Sequence, residues 1–282
     1  MRLLRYGLSG AEKPGVLDAE GRLHDLSGEI DDITPDVLAA DSLARLARLN
    51  PSSLPPVEGR PRLGPPLALV PNLICIGLNY ADHAKESNQP IPEQPIVFMK
   101  HTGSIIGPND LVKIPRGSKK CDWEVELGVV IGKRGSYVEE RDAMDHVAGY
   151  TIVNDVSERD YQFTGGGGQW IKGKSPDTFA PMGPWFVTKD EIRDPQNLNM
   201  WLEVDGHRYQ NGSTATMIFG VAHLVSHLSR YLTLLPGDVI STGTPPGVGA
   251  GVKPNPVFLK AGNVMRVGIE GLGEQRTEVG QA

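Results

Sequence analysis

The sequence has no excess of positive charge: 28 lysines and arginines stand against 34 aspartates and glutamates, a formal net charge of -6. That balance argues against nucleic acid or an anionic membrane surface as the main partner. Long apolar runs are also missing. None reaches the length of a membrane span, and the opening MRLLRYG has no signal-peptide core, so a cytoplasmic location is expected. Cysteine is scarce, two in 282 residues, and says little by count. Cys75, inside the apolar run Leu73-Ile74-Cys75-Ile76, reads as a buried structural thiol, while Cys121 lies just before an acidic strand. What is plentiful is glycine, at 34, and proline, at 23, spread along the chain as many short strands and tight turns require. With 39% hydrophobic and 22% charged residues, the chain has the make-up of a globular protein with a core.

The first 66 residues read as a small N-terminal α/β domain and its linker, followed by a larger domain over 67–282. Leu3–Tyr6 and Val16-Leu17 read as strands, and Thr34-Pro35 as the capped start of a helix over Asp36–Leu49. Asn50–Pro66, rich in proline, serine and glycine, reads as the linker. Beyond it, strands are expected at Leu73–Gly77, Ile96–Met99, Val112–Ile114, Trp123–Ile131, Val147–Asn154, Pro184–Val187, Met200–Val204, Val239–Ser241 and Val264–Ile269. One long helix is expected where Met217, Val221, Leu224, Val225, Leu228 and Leu232 repeat at helical spacing. Strands outnumber helices and do not alternate with them, which points to a strand-rich α+β fold.

The segment Asp122-Trp123-Glu124-Val125-Glu126-Leu127-Gly128-Val129-Val130-Ile131 carries the strongest chemical signal. On a strand, Glu124 and Glu126 share a face. An isolated E-x-E also fits a solvated strand face, but this strand continues into residues apolar on both sides, which implies burial. Buried neighbouring carboxylates are tolerable with a metal between them. Asp155, at the end of the next apolar strand, supplies a third oxygen ligand, a set suited to Mg²⁺ or Mn²⁺. Arg159 and Lys174 are candidates to balance the charge and attract an anionic substrate. In Asn79–Glu86, of helical composition, His83 and Glu86 share a face, as a general base and its orienting carboxylate would; the same pair also fits an ordinary surface helix. Gly165–Gly168 fits either a lid or a plain flexible loop. Ser241–Gly249 is glycine-rich without a phosphate-loop ending, and the Thr244 hydroxyl and nearby amides are candidates for a carboxylate. His223 and His227, four apart on the long helix, have zinc-like spacing but read as solvated or interface residues.

Several of these segments, in this order, resemble the fumarylacetoacetate hydrolase family: Gly77-Leu78-Asn79-Tyr80-Ala81-Asp82-His83, Trp123–Gly128, Asn154–Asp160, Gly173–Phe179 and Gly237–Pro245. The likeness covers about residues 70–282. It implies a mixed β-roll, a homodimer, and a divalent ion on Glu124, Glu126 and Asp155. It also implies a His83–Glu86 pair on a short lid-like helix, with Lys174, Arg159 and Gln162 facing the substrate. Pro176 stands where most relatives have phenylalanine, and Lys172 offers a second amine near Lys174. The N-terminal unit, Gly167–Trp170 and Gly220–Leu224 look closest to hydrolases of 2,4-diketo-3-deoxy-L-rhamnonate or -fuconate; many similar sequences are named ureidoglycolate lyase. The resemblance therefore implies cleavage of a small anionic diketo acid to pyruvate and a second acid, with ureidoglycolate cleavage, oxaloacetate decarboxylation and non-catalytic metal or acid binding as rivals.

Overall fold

Short runs of β-branched and aliphatic residues, broken by glycine and proline, favour strands over helices. The computed structural model of the chain describes residues 1–86, 88–164 and 167–282. The N-terminal part forms β1 (Arg2–Tyr6), β2 (Lys13–Leu17), β3 (Leu23–Asp25) and α1 (Ala40–Leu46). There follow β4 (Leu73–Gly77), α2 (Ala81–Glu86), β5 (Ile96–Lys100), β6 (Ile105–Ile106), β7 (Val112–Ile114) and β8 (Cys121–Asp122). The middle of the chain holds β9 (Val125–Ile131), β10 (Val147–Asn154), β11 (Ser157–Glu158), α3 (Arg159–Phe163), α4 (Ile171–Lys174) and β12 (Ala180–Thr188). The remainder is β13 (Asn199–Val204), β14 (His207–Ser213), α5 (Val221–Ser229), β15 (Val239–Ser241), β16 (Val264–Ile269) and β17 (Gly273–Gln281). No helix among the described residues is long and apolar enough to cross a membrane.

The large sheet runs β3-β2-β1-β12-β10-β9-β15-β4-β5, with β6 beside β12. It is mixed, since β15–β4 and β12–β6 are parallel among antiparallel neighbours. A smaller sheet runs β14-β13-β16-β17-β7, and β8 pairs with β11. This is the strand-rich α+β fold expected.

All seven residues of β9 are buried. Leu127, Val129 and Ile131 share a core with Met200, Leu202, Met265 and Val267 of the smaller sheet and with Leu224, Val225 and Leu228 of α5. Val130, of opposite parity, joins Leu73, Val239 and N-terminal residues such as Leu3, Leu26 and Leu38. A strand with a core on each face must be apolar throughout, which accounts for the unbroken run after Gly128. Residues 1–66, expected as a separate small unit, lay three strands on the edge of the large sheet, β1 pairing with β12.

Three local expectations change. Thr34-Pro35 opens a series of turns, Val37, Leu38 and Ala39 each donating to the carbonyl three residues back, and the α-helix starts only at Ala40. These tighter turns bring Leu38 into the core. The long helix begins at Val221 and not at Met217, because the Asn79 carbonyl and side chain engage Ile218 and Phe219 and hold that stretch out of the helix. The strand expected over Trp123–Ile131 breaks at Trp123-Glu124, between β8 and β9.

Gly149 lies where β10 meets β12, and a Cβ there would run into the Val187 carbonyl oxygen and come within 2.7 Å of Phe186. Gly149→Ala is therefore expected to destabilise the protein by about 1–3 kcal/mol, the usual size of core overpacking. Urea unfolding should show a lower midpoint at unchanged slope; an unchanged midpoint would contradict this close packing.

Candidate active site

The end of β9 and the end of β10 are hydrogen-bonded neighbours, Val125 facing Asn154 and Glu126 facing Val153. The pairing is tightened by the Asp155 amide, which donates to the Glu124 carbonyl at 2.9 Å, and by the Asn154 side chain, which accepts from the Glu124 amide at 3.1 Å. This backbone frame brings Glu124, Glu126 and Asp155 together. All three are buried, and one carboxylate oxygen from each lies within 4.8 Å of the others. Glu126 is further held from β15, its Oε2 accepting from the Ser241 hydroxyl at 2.6 Å and the Gly243 amide at 3.0 Å.

Cations surround these acids. Lys174 Nζ lies 2.6 Å from Glu124 Oε2 and 2.7 Å from Asp155 Oδ2. Lys100 Nζ reaches Asp155 Oδ1 at 2.6 Å and the Val156 carbonyl at 3.0 Å. Arg159 Nη2 bridges Glu124 Oε1 at 2.7 Å and Asp122 Oδ2 at 2.8 Å. Burial, then the charges of Asp155 and Glu124, push the Glu126 pKa well above the usual carboxylate range. Burial acts the same way on Glu124, but Lys174 and Arg159 outweigh it and hold that carboxyl below its ordinary value. On Lys100 burial wins and lowers the amine's pKa; on Lys174 the attraction of Asp155 and Glu124 overcomes burial and raises it.

Three converging carboxylates with one member driven towards its neutral form are a donor set short of a cation. Hard oxygen ligands at this spacing suit Mg²⁺ or Mn²⁺. The residues present thus fit a divalent ion held by Glu124, Glu126 and Asp155.

A cavity of about 450 Å³ opens over this cluster. Eight of the nine residues nominated from the sequence line it: His83, Glu86, Glu124, Glu126, Arg159, Gln162, Lys174 and Thr244. The ninth, Asp155, is fully buried against Lys100 and Lys174. His83 is only 9% exposed, so the His83–Glu86 pair is not a solvated helix pair. His83 Nδ1 lies 3.0 Å from Glu86 Oε2, and the Gly247 amide donates to both Glu86 oxygens at 3.0 and 3.2 Å. Gln162 Oε1 accepts from Arg159 Nη1 at 3.0 Å, which turns its amide nitrogen away from that contact. The Thr244 hydroxyl donates to the Val125 carbonyl and accepts from Gln210, so its proton is already placed.

Of the two lysines near the Gly-Lys-Ser segment, Lys174 reaches the acids, whereas Lys172 is exposed. Gly165 and Gly166 lie outside the described residues; Gly167 and Gly168 have left-handed φ of 62° and 76°. Trp170, beyond them, packs edge-on against Phe98 at 5.3 Å and Phe163 at 5.8 Å, and all three rings line the cavity. His223 and His227 stack on each other outside it, with His223 3.2 Å from Glu140. Both cysteines are buried and free. Lys100 and Asp122 were not assigned a role from the sequence. Lys100 could have been found: it continues the Ile96, Phe98 alternation, so its amine points inward from an apolar strand.

The family pattern described as fumarylacetoacetate (FAA) hydrolase, C-terminal, matches residues 72–280. A protein of Burkholderia cenocepacia (strain HI2424), whose name assigns it only provisionally to the hydrolases, is 62% identical over 275 residues, covering 98% of this chain and 97% of its own. Among solved structures, the fumarylacetoacetate hydrolase from psychrophilic Exiguobacterium antarcticum is 36% identical with a TM-score of 0.88, covering 100% of both chains. Maleylpyruvate hydrolase from Sphingobium sp. SYK-6, solved with manganese(II) and pyruvate, is 28% identical with a TM-score of 0.82, also over 100% of both chains.

An ion and a proton compete for Glu126. With its pKa raised by burial and by the charges of Asp155 and Glu124, Glu126 keeps a proton to higher pH than an ordinary carboxylate in the ion-free protein, and binding of Mn²⁺ is expected to release whatever proton it holds. Calorimetry in buffers of different ionisation enthalpy should therefore give buffer-dependent binding heats, and Glu126→Gln should remove the dependence while weakening Mn²⁺ binding. Buffer-independent heats for the unaltered protein would count against a protonated Glu126.

Proposed function

The chain belongs to the fumarylacetoacetate hydrolase family, and from that premise we propose that it is a metal-dependent hydrolase cleaving the carbon–carbon bond of a 2,4-diketo acid to pyruvate and a second acid. The observation that carries this reading is that a buried histidine–carboxylate pair and two members of a cation-seeking triad of acids, Glu124 and Glu126, open onto one cavity, with the third, Asp155, buried beneath them. Decarboxylation of oxaloacetate needs no water and no base; hydrolysis needs both, and His83–Glu86 is built as a base.

Glu86 holds His83 Nδ1, which leaves Nε2 as the basic nitrogen. His83 removes a proton from a water, and the oxygen attacks the C4 carbonyl. The Gln162 amide and the Lys174 amine stand at the cavity wall to stabilise the oxyanion that forms there. When the C3–C4 bond breaks, its electron pair becomes the enolate of pyruvate and C4 becomes the carboxyl of the second acid. The proton held on His83 returns to C3, so one water is consumed and the base is restored. A divalent ion on Glu124, Glu126 and Asp155 supplies Lewis acidity for the negative charge that the leaving pyruvate carries.

The substrate we propose is 2,4-diketo-3-deoxy-L-rhamnonate or its fuconate counterpart, giving pyruvate and L-lactate. The neutral amides of Asn88 and Gln89 at the cavity wall suit a hydroxylated tail, and a cavity of about 450 Å³ suits an acid of this size.

Purified protein assayed against a panel of 2,4-diketo acids, oxaloacetate and ureidoglycolate should prefer the diketo acids, lose activity to a chelator and regain it with Mg²⁺ or Mn²⁺. Full activity without metal would overturn the scheme. His83→Ala should lower diketo-acid cleavage by about 10²- to 10⁴-fold, the usual worth of a positioned base, with Mn²⁺ affinity nearly unchanged. Any oxaloacetate decarboxylation should fall less. A wild-type rate of diketo-acid cleavage in this variant would remove His83 from the mechanism.

A further inference from the structure

Asp122 is fully buried and takes no part in the scheme above, yet its carboxylate is among the most heavily engaged in the molecule. Oδ1 accepts from the Trp123 amide at 2.8 Å and the Gly249 amide at 2.6 Å. Oδ2 accepts from the Ala250 amide at 2.9 Å and lies 2.8 Å from both Nε and Nη2 of Arg159. With both oxygens filled in this way, Asp122 has little capacity left to ligate an ion or a substrate.

Its partners lie on the two halves of the site. On one side, the same Arg159 Nη2 that touches Asp122 also touches Glu124. Without Asp122 the guanidinium would have Glu124 as its remaining carboxylate partner and would compete with a metal ion for it. On the other side, Asp122 caps the turn Gly249–Gly251. The adjoining Trp123 indole fastens the same loop through the Gly247 carbonyl at 3.1 Å. That loop holds Glu86: the Gly247 amide donates to its carboxylate, and a Cβ on Gly251 would lie 2.9 Å from Glu86 Cδ. Glu86 in turn orients His83.

We propose that Asp122 is a positioning residue, fixing Arg159 against Glu124 and the 247–251 loop against Glu86 so that the metal-binding and proton-transfer halves of the site keep one relative placement. The turnover part of this inference rests on the hydrolase reading above; the metal and loop parts do not.

The test uses the full chain with Mn²⁺. Asp122→Asn keeps the shape but leaves only one good acceptor oxygen and no charge. It should weaken Mn²⁺ binding about 10- to 100-fold, the usual range for a residue bonded to a ligand's partner. It should also speed amide exchange in 247–251 and lower kcat at saturating Mn²⁺ by about 10-fold. Wild-type Mn²⁺ affinity with wild-type kcat per folded molecule, even at a lower melting temperature, would reduce Asp122 to an ordinary structural residue and overturn the proposal. Gly251→Ala examines the loop half in a protein with Asp122 intact and serves even if the asparagine variant fails to fold. Its methyl displaces only the end of the Glu86 side chain, so kcat should fall about 10-fold with Mn²⁺ affinity unaltered. A wild-type kcat there would overturn the link from loop to base. If the unaltered protein cleaves no diketo acid, the hydrolase reading fails, while Mn²⁺ affinity and amide exchange still decide the role of Asp122.

Discussion

Mutual repulsion among Glu124, Glu126 and Asp155 is the constraint around which the candidate site is arranged. Three carboxylates this close and this buried cannot all stay ionised without compensation. Lys100, Lys174 and Arg159 provide it, pairing with both oxygens of Glu124 and both of Asp155, and the raised pKa of Glu126 accounts for the remainder. Each of these contacts also fixes a carboxylate's direction. Removing one cation would leave a buried charge unpaired, which is costlier than the pair is stabilising.

Why these residues converge follows from the strands beneath them. β9 has one core on each face, so its position is set along its whole length by packing that has nothing to do with chemistry. Glu124 and Glu126 sit where that strand begins, Asp155 where its neighbour ends, and Ser241 and Gly243 where β15 ends. The acids are thus placed by a rigid frame, whereas His83 and Glu86 ride on a six-residue helix too short to persist by itself. That helix depends on tertiary anchors such as Gly247, and so the His83–Glu86 pair is only as well placed as the loop that holds it.

Much of this was legible in the sequence. Period-two and continuous apolar runs marked the strands, and the acids stood out because E-x-E at the head of an apolar run has few bland explanations. The likeness to a known family added Gln162 and favoured the base reading of the His83–Glu86 pair over a surface helix pair. What could not be read was whatever depends on contacts far apart in the chain. His83 and Glu86 look alike on a surface helix and in a cavity wall, and the burial of His83 and the approach of Gly247, 161 positions beyond Glu86, distinguish the two. Asp122 seemed a flanking residue because its partners at Gly249 and Ala250 lie more than a hundred positions away. The long helix was overestimated because Asn79, 140 positions from Phe219, competes for the residues that would begin it.

The cavity is assembled from two kinds of material. Its floor of acids lies at the head of β9, and the cations beside them, Arg159 and Lys174, sit on the short helices α3 and α4, while much of its wall comes from α2, residues 88 and 89, Phe163, Trp170 and the loop at 248–253, segments between strands. Such a division lets the two parts diverge at different rates. Substitutions in the wall leave the strand frame that places the acids untouched, so descendants of one ancestor can change what the cavity accepts while keeping one cluster of acids. Overall identity within such a lineage measures common descent and a common frame, and the fit for one small molecule or another is set at the cavity's rim.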